Sequence, residues 1–344
     1  MNFDKSLDEL ISYLMNFGTY FFGYFLLCLF QLRFEKFRIL MEFVLANFRK
    51  RSAKGLTFIS FDGSISAASK FFVFWIVSCL SGALSWFLYP MLTGFNDLPL
   101  KSWYPFDVTS SPGYQIAFFM QLLGQLFIPF VFGGWAGTYM TMIILGCAQY
   151  DILFASLKNI GESTGGKDEK NIFAFRLKQE SYKNEIHEVN QYIFSREELD
   201  EYSEDHESHN AALIDCVEHH QMILEFADLF EHFYRVYFIT KLFFNEIFQT
   251  QLSLVKMSVL FFYLSLGCSD LMILCYFAEL LKYQSSRATE ALMRSDWETF
   301  DGPTKRGMII FMMNARKPIQ LVAGKILNLD MKQFLAAMKT TKTF

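Results

Sequence analysis

Residues 108–150 contain no Asp, Glu, Lys or Arg, in a chain where 19% of residues are charged. A hydrocarbon core of about 30 Å is crossed by a helix of roughly 20 apolar residues. This segment is long enough to cross once and to extend beyond the lipid. It predicts a membrane-spanning helix, and this prediction constrains what the rest of the chain can fold into.

Other segments repeat the pattern. Residues 10–32 and 71–96 are also free of charge, whereas residues 236–281 are apolar but interrupted by charged side chains. A charge at the centre of a bilayer costs about 2.5 to 3.5 kcal/mol on insertion scales. The interrupting charges are therefore expected near helix ends, or facing protein and water. We interpret residues 236–281 as two helices that meet near residues 252–254.

The fold class predicted from this pattern is all-α: a polytopic helical membrane protein with one domain over residues 1–344. The 52% hydrophobic content and the 41 Phe residues agree with it. The predicted spans and the predicted cytoplasmic helical region are, in chain order: 10–32, 71–93, 114–148, then 151–233 in the cytoplasm, then 235–253, 255–280, 306–324 (partly cytoplasmic) and 327–344.

The distribution of basic residues predicts the orientation. Eight Lys and Arg lie between residues 33 and 70, but residues 96–113 contain only Lys101. Positive residues favour the cytoplasmic side of a membrane. Residues 33–70 are therefore predicted inside and residues 96–113 outside, so the first visible helix runs from outside to inside.

The cytoplasmic region is predicted to contain a helical stalk. Residues 161–170 have the composition of a flexible loop, and residues 197–207 form an acidic, solvated run. Beyond them, apolar residues recur at spacings of three and four, as expected for an amphipathic helix that needs a partner. The helix leads directly into the next span and would extend it below the bilayer. Its apolar residues are Leu213, Val217, Ile223, Phe226, Leu229, Phe230 and Phe233.

The residues give no basis for catalysis or for a cofactor. No zinc spacing, glycine-rich phosphate loop or nucleophile elbow occurs in the sequence. The cysteines are interpreted as small reduced hydrophobic residues, and His219, His220 and His232 as structural residues of a helix. We predict no enzyme, no metal site, no cofactor and no nucleic-acid partner.

Several segments match one known family. They are LPLKSWYPFD (98–107), the helix LIDCVEHHQMILEFADLFEHFY, the segment CYFAELLKYQSSRATEALMRSDW ending at Trp297, and the final RKPIQLVAGKILNLDMKQFLAAMKTTKTF. In the last segment, Arg316, Pro318, Gly324, Leu329 and Phe334 fit the pattern of the family's final helix. With these motifs the chain resembles the insect odorant receptors.

The resemblance implies a fold and an assembly. Members of the family have seven membrane helices, a cytoplasmic N-terminus and cytoplasmic helical stalks that form an anchor domain. They act in the plasma membrane of olfactory neurons as odorant-gated, non-selective cation channels. They form hetero-tetramers with a shared co-receptor subunit and require no G protein. Compared with this pattern, the chain begins just before the second helix of the family and ends within the last one.

The family binds odorants in the outer half of the membrane. By residue type and spacing alone, apolar and small residues that could line such a pocket occur on three of the predicted spans. Cys79, Gly82 and Trp86 share one helical face because their spacings are three and four. Gly82 beside the ring of Trp86 would leave room for a small volatile molecule, and Tyr20, Tyr114, Gln121 and Tyr263 would add polar discrimination. The candidate ligand-binding residues are Phe17, Tyr20, Phe21, Cys79, Gly82, Trp86, Phe119, Met120, Leu123 and Tyr263.

The last helix carries a candidate pore stripe. Gln333, Ala337, Thr340 and Thr341 recur at spacings of three and four and are small or polar. Such a stripe suits a water-filled channel, and it suits close helix packing equally well. Both interpretations stay open from the sequence.

Three alternatives to an odorant receptor follow from the same residues. One is a channel similar to the gustatory receptors, although the final-helix pattern of that family is absent here. Another is a non-channel membrane transporter, in which Lys241, Glu246 and Asp270 would form a path through the membrane. The third is a structural subunit without a ligand.

Overall fold

The computed structural model describes most of the chain as helix. The described residues are 3–53, 57–93, 98–100, 102–108, 110–163, 191–193, 208–252, 257–323 and 327–340. Within them, the side chains of residues 3–12, 14–15, 57–58, 85–93, 162–163, 191–193, 242–252, 257–268, 270 and 337–340 are not described.

The helices follow the predicted apolar segments. In chain order they are α1 (Phe3–Leu32), α2 (Phe34–Asn47), α3 (Asp62–Thr93), α4 (Gly113–Lys158), α5 (Ile160–Ser163), α6 (His209–Leu252), α7 (Met257–Ser286), α8 (Ala288–Met293), α9 (Gly302–Ala315) and α10 (Met331–Thr340). A single 3₁₀ turn, Trp297–Thr299, precedes α9.

Two short antiparallel strand pairs were not predicted from the sequence. β1 (Thr57–Ile59) pairs antiparallel with β2 (Gln191–Ile193), and β3 (Val322–Ala323) pairs antiparallel with β4 (Leu327–Asn328). The first pairing joins the loop before α3 to the segment between α5 and α6. Strands of two or three residues carry too little alternation to be recognised from sequence.

Helix α4 is the centre of the fold. It packs against α1, α3, α6, α7 and α8, and most of its side chains between residues 131 and 157 are buried. This burial explains the absence of charge only in the half of α4 after Phe130, which faces other helices. The half before it exposes large apolar side chains, as expected of a membrane span. The long uncharged run is a core helix as well as a candidate membrane span.

Among the described residues, two helical segments are long and apolar enough to cross a membrane by length and composition. They are Asp62–Leu84 and Gly113–Lys158, and Asn16–Leu32 with Phe34–Asn47 passes as a pair that is bent by 62°. The bend occurs at Arg33, directly after the predicted span 10–32. Beyond it, α2 buries Leu40 and Val44 against the rest of the chain and packs on α6.

The amphipathic helix predicted for the stalk is continuous with the apolar segment that follows it. α6 has 44 residues and begins at His209, and Leu213, Ile223, Phe226, Phe230 and Phe233 are all buried. The predicted meeting point near residues 252–254 also agrees, since α6 ends at Leu252 and α7 begins at Met257.

The C-terminal region differs from the predicted helices 306–324 and 327–344. α9 ends at Ala315 after 14 residues, about 21 Å of helix, and the next described segment is extended. Arg316, Lys317 and Pro318 follow it, and a proline disfavours helix at the preceding residue. β4 then occupies residues 327–328, so the last helix begins only at Met331. The Asp330 carboxylate caps this helix by accepting a 2.8 Å hydrogen bond from the Gln333 amide.

Candidate functional site

The candidate ligand residues on α1 divide between a packed and an outward position. The Tyr20 ring lies against Gly124 of α4, so closely that a methyl group on Gly124 would be 3.0 Å from it. Phe17 and Phe21 instead point away from the rest of the chain, with 68% and 61% of their side chains exposed. Tyr20 is therefore the α1 residue that is placed between helices.

On α3, the three residues of the predicted face have different surroundings. Cys79 is half-buried and packs near Gly133 of α4. Gly82 is exposed, and a methyl group on it would meet no atom within 4 Å. The side chain of Trp86 lies outside the described residues.

The candidate residues on α4 face outward. Phe119, Met120 and Leu123 are 59%, 55% and 52% exposed, and the side chain of Tyr263 on α7 is outside the described residues. The structure thus brings α1, α3 and α4 together at Tyr20–Gly124 and Cys79–Gly133, but it does not enclose the other candidates within one chain. The pocket stays a prediction.

Gln121, expected from the sequence to contact a ligand, has a different partner. Its buried side chain accepts a hydrogen bond from the Leu100 amide at 3.0 Å and donates one to the Leu100 carbonyl at 2.7 Å. Both ends of the amide are used, and the loop before α4 is held against the helix. Gln121 therefore fixes the loop near the N-terminal end of α4, on the side predicted to be extracellular.

The candidate pore residues are only partly visible. Gln333 is half-buried on α10, which packs against α7. The side chains of Ala337 and Thr340 and the whole of Thr341 lie outside the described residues. The pore stripe stays a prediction.

Sequence reasoning missed an aromatic cluster that joins α1, α4, α6 and α7. The Trp135 indole stacks on Tyr237 at 4.8 Å and on Phe233 at 5.4 Å, and meets the Phe30 ring edge-on at 5.8 Å. Its Nε1 donates to the Leu26 carbonyl.

One helical turn away, the Tyr139 hydroxyl donates to the Leu274 carbonyl of α7. These rings lie on the predicted cytoplasmic half of the spans and connect the candidate pocket helices to the helix that supports α10.

The only sequence signal for this cluster was the spacing of aromatic residues on two separate helices. Trp135 and Tyr139 recur at four, as do Phe230, Tyr234 and Phe238. Which aromatic stripe faces which is set by tertiary packing and cannot be read from either stripe alone. Lys241 follows one turn later, buried, with its ammonium 5.3 Å from the centre of the Phe132 ring.

A polar network lies beyond the aromatic cluster, toward the C-terminal end of α4, in the region predicted to be cytoplasmic. The side-chain oxygen of Gln149 accepts hydrogen bonds from the Arg49 amide and from His219 Nε2, both at 3.0 Å. Its nitrogen donates to the Arg49 carbonyl at 2.9 Å. The Arg49 guanidinium in turn pairs with Asp215, with Nη2 at 2.8 Å from Oδ1. The network fastens the loop after α2 to α4 and to α6.

The interpretation of His219 and His220 as structural residues agrees with their surroundings. Both are buried, and His220 lies between the rings of Tyr150 and Phe311. Burial, followed by the positive charge of Arg49, lowers the pKa of His219 to about 3, and burial also lowers the pKa of His220. No group of three His, Cys, Asp or Glu side chains that could hold a metal ion occurs in the described part of the chain.

The low pKa of His219 predicts that stability falls in mild acid. Below pH 6.5, the usual pKa of histidine, His219 is protonated in the unfolded chain but stays neutral in the folded chain. The free energy of unfolding therefore decreases as the pH falls from about 6.5 to about 3. We expect a loss of about 1 kcal/mol between pH 7 and pH 5.5 from this residue. Thermal unfolding of the purified chain at several pH values measures it. The profile of His219→Gln should be flatter, and an equally steep profile would contradict the assignment.

Comparison with known proteins identifies the family. The model of the family described as "7tm Odorant receptor" matches residues 6–342. The chain belongs to the odorant receptor family. Odorant receptor 83a of Drosophila melanogaster is 29% identical over 366 residues, which cover 96% of this chain and 81% of that protein. Putative odorant receptor 85e of the same organism is 27% identical, over 91% of this chain and 71% of that protein.

Solved structures confirm the fold. The insect olfactory receptor OR5 from Machilis hrabei is similar with a TM-score of 0.66 at 14% identity, over 99% of this chain and 80% of that one. The same receptor in complex with eugenol gives a TM-score of 0.64 at 16% identity, over 94% and 77% of the two chains. The predicted all-helical, insect odorant receptor-like membrane fold is therefore correct. As an odorant receptor family member, the chain is a multi-pass membrane protein and its relatives are receptors rather than enzymes.

Proposed function

We propose that this odorant receptor chain binds a small volatile molecule between the outer halves of its membrane helices and gates a non-selective cation channel. In this proposal it assembles with a co-receptor subunit in the plasma membrane of an olfactory neuron. The observation that carries the proposal is the family match over residues 6–342, which includes the helices of both the candidate pocket and the candidate pore.

The surroundings of α3 support an apolar ligand. Cys79 packs near Gly133 of α4, and the next residue of its face, Gly82, is exposed with no atom within 4 Å of a methyl group placed on it, so a small apolar molecule could lie against this part of α3. A volatile of about ten heavy atoms that gains around 0.8 kcal/mol for each atom reaches roughly −8 kcal/mol, or micromolar affinity. No charged group is needed for that affinity. The eugenol complex of the Machilis hrabei receptor is a small-molecule complex in the same fold.

The aromatic cluster supplies a physical connection between the candidate pocket and the candidate pore. A ligand gates a channel only if it binds the open arrangement more tightly than the closed one. α1 and α4 meet at Tyr20 and again at Trp135, and α4 is bonded to α7 through Tyr139. Because α10 packs on α7, a shift of α4 relative to α1 would reach the last helix through packed side chains.

Current recording tests the proposal directly. The full chain is expressed together with an insect odorant co-receptor, and an odour panel is applied to voltage-clamped cells. We expect at least one odour to evoke a cation current that neither subunit gives alone. Surface-expressed chain that gives no odour-dependent change in current with any co-receptor would contradict the proposal.

A substitution at Gly82 tests the pocket within that assay. Gly82→Leu would fill the open space beside the Trp86 position, and we expect responses to the best odour to shift by at least tenfold in half-effective concentration. Trp86→Ala should change the rank order of odours without abolishing surface assembly. Gly134→Leu is the matched control, because a methyl group on Gly134 also meets no atom within 4 Å but the residue lies further along α4. An odour profile unchanged in both pocket variants would reject these residues as the pocket.

A further inference from the structure

The bend between α1 and α2 places basic side chains beside the middle of α6. Arg33 lies directly after the uncharged run of α1, at the 62° bend. Its Nη1 donates hydrogen bonds to the carbonyls of His232 and Phe233, at 2.7 and 2.9 Å. Lys36 Nζ lies 2.7 Å from His232 Nε2. The two cations and α6 thus form one surface at the predicted cytoplasmic edge of the membrane.

The partners of these two cations are neutral. Arg33 bonds to backbone carbonyls and Lys36 to an imidazole, and neither forms an ion pair with a carboxylate in the described part of the chain. Arg38 on the same helix differs, because it pairs with Glu35 at 2.6 Å and with Glu42 at 3.9 Å. The uncompensated charge is therefore confined to the side of α2 that faces α6.

A third cation adjoins the pair. Arg235 lies one turn after His232 and reaches Glu231 at 3.4 Å through Nη2, while its buried Nε has no hydrogen-bond partner in the structure as described. Burial, and then the charge of Arg235, lower the pKa of Arg33. The pKa of His232 is lowered by burial, Lys36, Arg235 and Arg33, and only Asp228 opposes them. The local potential is positive, and His232 is neutral at physiological pH.

Apolar side chains complete the surface. Leu32, the last residue of α1, is 84% exposed and Phe34 is 46% exposed, one on each side of Arg33. Exposed hydrocarbon next to uncompensated cations matches the boundary between acyl chains and headgroups in a bilayer. Anionic lipids are concentrated in the cytoplasmic leaflet, and basic clusters just beyond a membrane helix attract them. Arg presents paired N–H donors to phosphate, and Lys acts on it as a point charge.

We propose that Arg33 and Lys36, beside the additional positive charge of Arg235, bind the phosphate of an anionic phospholipid from the cytoplasmic leaflet, at the junction of α1, α2 and α6. The lipid would accept hydrogen bonds from Arg33 and Lys36 while its acyl chains lie along Leu32 and Phe34. The inference depends on the orientation of α1 and not on odorant gating. A lipid at this position would bridge a candidate pocket helix to the stalk.

Native mass spectrometry of the detergent-purified full chain tests the site. The numbers of bound phosphatidylserine, phosphatidylinositol 4,5-bisphosphate and phosphatidylcholine molecules are compared over a range of lipid concentrations. Each cation near a membrane surface contributes about fivefold to the affinity for an anionic lipid. We expect Lys36→Gln to bind the anionic lipids about fivefold more weakly, and Lys36→Gln combined with Arg33→Gln about 25-fold more weakly. Binding of phosphatidylcholine should not change.

Arg38→Gln is the control, since it removes an equal charge from the same helix where carboxylates already compensate it. Equal weakening by Arg38→Gln and Lys36→Gln, or no weakening by either, would overturn the proposal. Because Arg33 also binds backbone carbonyls, unfolding of Arg33→Gln is checked by its melting temperature, and Lys36→Gln then decides alone. Soluble inositol 1,4,5-trisphosphate is titrated in a separate arm. Competition between inositol 1,4,5-trisphosphate and the anionic lipids supports a phosphate site. If the soluble compound binds as tightly as the lipids, the ligand is a free phosphate and not a lipid headgroup.

Discussion

Replacing Trp135 with Ala is expected to be the most damaging single substitution in the described part of the fold. The indole is 5% exposed and packs against rings of α1 and α6. Truncation of a buried Trp to Ala costs about 3 to 5 kcal/mol, since the cavity left behind collapses only partly. We expect the variant to lose most of its monodisperse peak in fluorescence-detected size-exclusion chromatography. Any remaining fraction should melt well below the parent protein.

Trp103→Ala is the matched control for that result. Trp103 lies in the loop before α4 and is 81% exposed, so its removal should change the melting temperature little. Trp135→Phe should fall between the two, since it keeps part of the ring stack and loses the hydrogen bond to the Leu26 carbonyl. A Trp135→Ala variant as stable as Trp103→Ala would show that the cluster does not hold α1, α4 and α6 together.

A substitution in the aromatic cluster can distinguish an effect on gating from an effect on stability. Tyr139 joins the same rings to α7 by one hydrogen bond to the Leu274 carbonyl. Removal of the hydroxyl in Tyr139→Phe keeps the ring packing and leaves one helical carbonyl without this donor. If the rings transmit ligand binding to α10, such a variant would alter the odour concentration needed for half-maximal current more than it alters surface expression.

The long helices could be predicted from the sequence because lipid and a buried core both require apolar, uncharged side chains. α3 and α4 could be located from the absence of charge, and α6 from apolar spacing that runs from the stalk into a span. The turn at Arg33 was not predicted as a bend, since the basic residues after it were interpreted only as a sign of orientation. Its angle follows from the packing of α2 on α6.

The candidate site was harder to read because its residues were chosen one helix at a time. Spacing predicted that Cys79 and Gly82 share one face of α3, but it could not say which face of α4 meets α1. In the structure, α1 contacts α4 at Gly124, which lies against Tyr20. A glycine has no side chain, so it adds nothing to the apolar pattern from which a packing face is predicted. Phe119, Met120 and Leu123, selected for their size, are on the exposed side instead. Close helix contacts favour small residues, and apolar bulk faces lipid as readily as protein.

The partners of Gln149 also could not be predicted from the sequence, since a single amide in an apolar segment does not indicate what it bonds to. Its side chain is fully buried and bonds to both backbone groups of Arg49 and to His219. We expect Gln149→Leu to destabilise the chain by about 3 kcal/mol, because each buried polar group left without a partner costs roughly 1 to 3 kcal/mol. The loop after α2 would detach from α4. Melting temperature in detergent measures the loss, and limited proteolysis after Arg49 and Lys50 locates it.

Gln221→Leu is the control for this variant, because Gln221 is an exposed residue of the same stalk and its substitution should leave both measurements unchanged. The Arg49–Asp215 pair gives a further distinction. Its side chains are 29% and 31% exposed, and the guanidinium donates to both carboxylate oxygens. Asp215→Asn keeps one oxygen that accepts from Arg49, whereas Gln149→Leu removes all three hydrogen bonds of a fully buried amide. Asp215→Asn should therefore cost less than Gln149→Leu. If Asp215→Asn proves the more damaging of the two, the ion pair and not the amide fastens the loop after α2 to the stalk.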